Sequence, residues 1–483
     1  MAGDQPGPAA TVASMSSLPA NVGELRRSGW RSVPVKDEVR RNATARIEAG
    51  QPLLEGLLGY DDTVLPQLEN ALLAGHDIIF LGERGQAKTR TIRRLVSLLD
   101  EWLPVVAGSE INDDPYAPVS RYARDLLAER GDDTPRDWVH RDTRFGEKLA
   151  TPDTSIADLI GEVDPIKVAE GRYLADESTL HYGLVPRTNR GIFAINELPD
   201  LAERIQVGLL NVLEERDVQV RGYKVRLPLD VMLVASANPE DYTNRGRIIT
   251  PLKDRFGSQI RTHYPADVET EMAIADQESR PLDVDGRRVE ISDAMAEVVA
   301  TVSHLARSSP HVNQRSGVSV RLTVANHETL VANATRRALR LGEAEVVPRV
   351  SDLGALGAST AGKLEIETLD EGRDQAVVDN LFSAAVLTVF RARVDAGALR
   401  DLASAFDDGR VVHTGDDVAS SDYVDLVAEL PALREAVSAM GDGESPARVA
   451  SSVEFLLEGL HLSKRLNKES AADGRAVYRS RGR

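Results

Sequence analysis

The chain has 483 residues, 42% of them hydrophobic and 28% charged, with a formal net charge of −18 and no cysteine. That length suits two or three domains with cores of their own, and the composition is that of a soluble globular protein. The absence of cysteine excludes disulfides, thiolate metal sites and thiol nucleophiles, and the acidic balance opposes general nucleic-acid binding, which needs Lys and Arg against phosphate.

No run is long and apolar enough to predict a membrane span, and the N-terminus lacks the basic start and apolar block of a secretion signal. A cytoplasmic location without membrane or nucleic-acid partners is therefore expected. Residues from Met1 to about Pro19 are rich in Ala, Gly, Pro and Ser, which predicts disorder within an N-terminal segment 1–41. From 42 to 264 apolar strand-like runs alternate with amphipathic helical patterns, the mark of a parallel sheet flanked by helices. Its strands are expected at Ile78–Leu81, Ile192–Ile195, Val231–Ala235 and, more weakly, Gln259–Thr262, with loops and one short helix inserted near Gly108–Asp142. Residues 265–345 read as an all-helical domain, with helices near Asp267–Gln277, Ser292–Ala306 and Val324–Leu341. Residues 346–483 read as a helical extension with Gly/Asp-rich linkers, ending in a basic tail from Ser463 that is expected to be solvated and frayed.

The octapeptide Gly82-Glu83-Arg84-Gly85-Gln86-Ala87-Lys88-Thr89 follows the first of these strands. A buried strand that breaks into a glycine-bearing turn and opens a helix presents main-chain N–H groups to an anion, phosphate above all. Lys88 is placed to reach the β- and γ-phosphates of ATP, and the Thr89 hydroxyl to ligate the accompanying Mg2+, with Arg90 beside them. The helix is expected to run from Lys88 to Trp102, on the spacing of Ile92, Leu95, Leu98, Leu99 and Trp102. The pattern has glycine before the lysine and this chain has Ala87, a methyl group tolerable only if the residue lies in right-handed helical space.

Strand Ile192–Ile195 ends in Asn196 and Glu197. Glu197 suits a general base for the water that attacks the γ-phosphate, while Asn196, where an aspartate is usual, accepts a hydrogen bond from metal-bound water without supplying charge. Asn238 ends the next strand and is a candidate to bond the γ-phosphate or the attacking water. Arg255, in Pro251-Leu-Lys-Asp-Arg-Phe256, is a candidate to reach a neighbouring subunit's nucleotide, with an ion pair to Asp254 as the plain alternative. Arg321, at a helix start, is a candidate arm toward the phosphates. His140-Arg141-Asp142 resembles a kinase triplet, but Glu147 stands where that motif requires Asn. The nine histidines form no helical metal pair, and no structural metal is expected.

Together these segments resemble the AAA+ ATPases, and within them the magnesium-chelatase ATPase subunit and MoxR-type group, over about Leu54 to Leu341. Gly82–Thr89 corresponds to Walker A, Ile192–Glu197 to Walker B, Asn238 to sensor 1, Asp254-Arg255-Phe256 to the arginine-finger motif and Arg321 to sensor 2. Gly108–Pro115, Ile160–Asp164 and Gly183–Gly191 resemble the chelatase subunit in particular, the last two as the helix-2 insertion. The resemblance implies an α/β P-loop AAA+ core followed by a helical lid, ATP and Mg2+ as ligands, and Arg190 as a second arginine at a subunit interface. It implies a ring, a hexamer in such families, and a partner bearing a von Willebrand factor A domain. Within it lie a MoxR-like chaperone and a magnesium-chelatase subunit of tetrapyrrole synthesis. A nucleotide-gated scaffold with little hydrolysis and a DNA-linked motor are the alternatives from other classes, the latter opposed by the acidic charge.

Overall fold

In a parallel sheet covered on both faces a strand is apolar throughout, and several runs of this chain meet that condition. The computed structural model describes residues 18–163, 179–214, 227–238, 246–284, 286–367, 374–406, 410–441, 443, 445–470 and 475–480. The disorder expected for residues 1–17, and the insertion around Glu170-Gly171, lie outside the described residues. The chain divides into two compact units, one of residues 1–82 with 87–262, the other of 83–86 with 263–483.

The strands of the first unit are β1 (Ile78–Leu81), β2 (Trp102–Val106), β3 (Arg136–His140), β4 (Phe145–Leu149), β5 (Gly161–Val163), β6 (Leu180–Tyr182), β7 (Gly191–Asn196), β8 (Val231–Ala237) and β9 (Ser258–Arg261). Five of them form an all-parallel sheet in the order β4-β7-β8-β1-β9. The period of two along each strand sorts its residues between two cores. Ile79, Leu81, Phe193, Ile195, Leu233, Ala235 and Ala237 enter one, and Ile78, Phe80, Ile192, Ala194, Met232, Val234 and Ile260 the other. The second of these cores is closed by α2 (Val35–Glu48) and α3 (Val64–Ala74), which follow the short α1 (Val22–Arg27). Fully buried Arg144 makes a bidentate ion pair with Glu38 of α2 at 2.8 and 2.6 Å and donates to the Arg190 carbonyl, fixing that helix to the start of β7.

The helix after the octapeptide is shorter than its spacing predicts. α4 covers Lys88–Arg94 and tightens into a 3-10 turn over Leu95–Leu98. Leu99 is already extended (φ −85°, ψ 150°), and Trp102 opens β2, pairing with His140 of β3. Helical spacing persists to Trp102 because Leu95, Leu98 and Leu99 fill the core beneath the sheet, whereas the Trp102 ring packs edge-on against His140 at 5.0 Å. The inserted region therefore holds an antiparallel strand pair, β2 with β3, besides its helix α5 (Arg121–Arg130).

Helices at Val268–Glu278, Asp293–Ser308, Arg321–Leu341, Asp374–Arg393 and Pro446–Leu462 dominate the second unit. Met295, Leu322, Leu356, Phe390, Tyr423, Phe455 and Tyr478 share one core, to which residues on both sides of position 345 contribute. The basic tail is not frayed where it is described. Leu466–Ser470 and Ala476–Ser480 pair as antiparallel strands, and Val411–Thr414 completes a three-stranded sheet. Leu466 and Tyr478 are buried, and the basic Lys468, Arg475 and Arg479 pair with Glu458, Asp417 and Glu469. No helix among the described residues is long and apolar enough to cross a membrane.

Candidate functional site at the carboxyl edge of the sheet

The octapeptide leaves the carboxyl end of β1, the edge at which open parallel sheets bind ligands. Leu81 pairs with Ala237, and the Gly82 N–H donates to the Ala237 carbonyl at 3.1 Å, which places the loop beside the end of β8. Lys88 is 7% exposed and its ammonium donates to the Gly82 carbonyl, curling the loop around its own lysine. Thr89 and Arg90 follow, both half-buried. Loop residues 83–86 cluster with the second unit. There the Glu83 N–H donates to Gln86 Oε1 at 3.0 Å and the Tyr264 hydroxyl donates to the Arg84 carbonyl at 2.8 Å. Gly85 has φ +74°, and a Cβ on it would stand 1.9 Å from Ser319 Oγ, so only glycine fits.

Ala87 departs from expectation. Its φ of 50° and ψ of 14° are left-handed, not right-handed, so the methyl group is carried where it crowds the backbone. The loop imposes this: Lys88 must turn inward and the Ala87 carbonyl must accept the Thr91 N–H at 2.9 Å to start the helix.

β7 delivers Asn196, 7% exposed, and Glu197, half-buried with a left-handed φ of 55°. The Glu197 N–H donates to Ser236 Oγ at 3.3 Å, tying this turn to β8. Asn196 is held at both ends of its amide: Nδ2 donates to Glu147 Oε1 at 2.5 Å and Oδ1 accepts from Ser236 Oγ at 3.1 Å. Glu147 accepts in turn from Arg93 of α4 at 2.8 and 3.1 Å, and this carboxylate holds the Arg93 proton more tightly than usual. Asn238, 6% exposed, ends β8 one residue after the pairing partner of Leu81. Positions 82, 88, 196, 197 and 238 thus lie along one edge of adjacent strands.

The three arginines behave differently. Arg190 is 4% exposed with φ 59°, donates through Nη1 to the Pro104 carbonyl at 2.8 Å, and lies 3.5 Å from Asp114 and 5.7 Å from the Trp30 ring centre. Burial lowers its pKa, opposed by Asp114. The side chain is held inside its own unit, where it locks the turn before Gly191. Arg255 ends a helix over Thr250–Arg255, is 39% exposed, and stands 3.5 Å from Asp254, 77% exposed, a pairing that water screens. Arg321 is exposed at the first position of its helix, its N–H donating to Ser319 Oγ at 3.1 Å.

The donor set fits a nucleotide triphosphate: a buried ammonium, a glycine-bearing turn and a hydroxyl on the first helical turn. For Mg2+ the Thr89 hydroxyl and Asn196 amide oxygen are hard oxygen donors of the required kind, though neither is charged. Among the described residues no group of three or more His, Asp or Glu is placed to hold a metal ion. Glu147, Arg93 and Ser236 were not singled out by sequence reading. Ser236 stands two residues before Asn238, but nothing in the sequence links Glu147, 49 residues away, to Asn196.

The sequence matches the Sigma-54 interaction domain family over residues 168–255. It is 29% identical over 209 residues to the magnesium-chelatase 38 kDa subunit of Cereibacter sphaeroides, covering 41% of this chain and 54% of that protein. The same subunit of Rhodobacter capsulatus is 29% identical over 231 residues, with 45% and 58% covered. The chain thus spans little more than half the length of these curated relatives. Among solved structures, one of the complex between subunits BchI and BchD of magnesium chelatase covers 67% of this chain and 97% of its own, at 21% identity and a TM-score of 0.35.

Proposed function

We propose that this chain, which belongs with the AAA+ ATPases of the magnesium-chelatase group, binds ATP at the 82–89 loop and hydrolyses it to ADP and phosphate to drive a remodelling step. The observation that carries this reading is the shared edge: Gly82 bonded to the end of β8, and Glu197 bonded to Ser236 of the same strand. Lys88 and the loop N–H groups hold the β- and γ-phosphates. Glu197 accepts the proton of the water whose oxygen attacks γ-phosphorus as the bond to the ADP oxygen breaks. Asn238 orients that water. The Thr89 hydroxyl and water around Asn196 would hold Mg2+, which would supply positive charge to the phosphate oxygens. Arg255 projects from a neighbouring subunit of a hexameric ring.

The similarity covers less than half of this chain and little more than half of the relatives, so magnesium insertion is not carried over with it. A MoxR-like chaperone that matures a metal-dependent partner through a von Willebrand factor A domain accounts better for a long C-terminal region, and co-purification of that partner would establish it. Lys88→Ala should abolish nucleotide binding, and an unchanged ATP Kd would contradict the loop assignment. Glu197→Gln should keep ATP bound and lower turnover about 10²–10⁴-fold. The uncharged Asn196 favours a second reading, a nucleotide-gated scaffold; equal background phosphate release from the native chain and Glu197→Gln, with ATP bound to both, would establish it.

A further inference from the structure

The departure at Asn196 has a partner. We infer that Glu147 supplies the negative charge which position 196 lacks, so that Glu147 and Asn196 together serve the divalent cation of the bound nucleotide as an aspartate at 196 would serve it alone. The inference rests on the ATP-binding reading above.

Glu147 lies on β4, the strand next to β7, and its Oε1 accepts from Asn196 Nδ2 at 2.5 Å. Ser236 Oγ donates to the opposite end of the same amide, so the amide nitrogen must face the carboxylate and the oxygen must face Ser236. The second ligand of Glu147 fixes its distance along the P-loop helix. Arg93 donates to both carboxylate oxygens, and Arg93 is four residues beyond Thr89, one helical turn along the same face. The carboxylate is thus joined through Arg93 to α4, the helix that carries Thr89, and directly to Asn196. An exposed ion pair alone does not account for the arrangement. Arg93 is 63% exposed, whereas Glu147 is 21% exposed and turned toward the strand end.

The same geometry explains why the residue at 196 is an amide. An aspartate there would set two carboxylates within hydrogen-bond distance, and their like charges disfavour the doubly ionised pair. With Glu147 present, Asn196 is the compatible neighbour, acting as the donor that joins the carboxylate to Ser236. Glu147 is thus a positioning residue that works through Asn196.

The test measures affinity of the full chain for a non-hydrolysable ATP analogue, once with Mg2+ and once with EDTA, alongside thermal unfolding. Glu147→Gln should weaken binding about 10–100-fold with Mg2+ and leave binding in EDTA unchanged. Asn196→Asp should lower the unfolding midpoint by several degrees, and Asn196→Asp combined with Glu147→Gln should recover both the midpoint and the gain in affinity from Mg2+. Arg93→Gln, which removes the ion pair and keeps the carboxylate, should retain that gain. The inference is overturned if Glu147→Gln keeps the full Mg2+ gain, if the double variant is no better than Asn196→Asp, or if Arg93→Gln loses as much as Glu147→Gln. Failure of the native chain to bind the analogue in either buffer would instead sink the ATP reading itself.

Discussion

At the carboxyl edge of the sheet, Lys88, Asn196 and Asn238 are each less than a tenth exposed, and Ala87 and Glu197 beside them hold left-handed backbone. In the second unit Arg337, Arg349 and Asp352 are buried still more completely, with no left-handed residue among them. Asp352 there accepts from Arg337 Nη2 at 3.0 Å, from the Arg349 N–H at 2.8 Å and from Asn333 at 2.8 Å. Glu343 takes the other faces of Arg337 and Arg349 at 3.2 and 3.1 Å, and also accepts the Ser420 N–H and hydroxyl. Nearby, Tyr423 and Tyr478 donate to buried Glu454 and Glu458, and burial followed by those carboxylates pushes both phenols far above their ordinary range. The second cluster spends its polar groups on one another in relaxed backbone. The first concentrates backbone strain and convergent donors at a strand edge, which is how sites for ligands differ from networks that specify packing.

The sharpest way to break that comparison is to remove a side chain that the proposed reaction needs from the exposed surface. Arg255 is such a residue, 39% exposed and paired with Asp254 across a contact that water screens. Arg255→Ala should leave unfolding and ATP affinity near native and depress turnover by about 10³–10⁵, the range known for arginines that neutralise a transferring phosphoryl group. Activity per subunit should also fall on dilution, as a finger supplied in trans requires. An affinity loss equal to the rate loss would assign Arg255 to packing, and the exposed edge would lose its functional reading.

Asp352→Ala probes the other side. It leaves the buried Arg349 N–H without its acceptor and Arg337 with Glu343 as its remaining ion-pair partner, and breaking such a network costs about 3–5 kcal/mol. The expected readout is a lower urea midpoint with an unchanged slope. Burial disfavours the charged form of Arg337, but the carboxylates of Asp352, Glu454 and Glu343 together outweigh it and raise its pKa. Glu454 and Glu343 remain when Asp352 is removed, and a guanidinium does not deprotonate near neutral pH, so the cost should persist there. A loss below about 1 kcal/mol, the worth of a surface pair, would place the cluster in water.

Much of this was legible in the chain. Ile78–Leu81, Ile192–Ile195 and Val231–Ala235 read as buried strands because both faces of the sheet are covered, and they lie where the apolar runs placed them. The 82–89 loop is legible because glycine, lysine and threonine at that spacing have few other uses. Three features were not. Trp102 kept helical spacing while belonging to β2, since spacing cannot distinguish a core helix from a core turn followed by a strand. The C-terminal strands were hidden by basic residues around Leu466 and Tyr478. The pairing of Asn196 with Glu147 crosses between neighbouring strands far apart in sequence, and no local pattern records it.

Ala87 offers the smallest effect and the cleanest sign. A non-glycine residue in left-handed space costs roughly 1–2 kcal/mol relative to its relaxed backbone. Replacing it by glycine removes that cost but gives the unfolded chain more freedom, worth about 0.5–1 kcal/mol in the opposite direction. The balance favours the folded state, so Ala87→Gly should raise stability by about 0.5–1 kcal/mol, a shift of a few degrees at most for a unit of this size. If Ala87 were right-handed, as its chemistry alone suggests, the same substitution would carry only the entropic cost and lower the midpoint. The direction of the shift therefore decides whether the turn that curls Lys88 inward is strained. A rise with native ATP affinity would mark the strain as a cost of shaping the loop, separable from the grip on phosphate, whereas a fall would return Ala87 to an ordinary first turn.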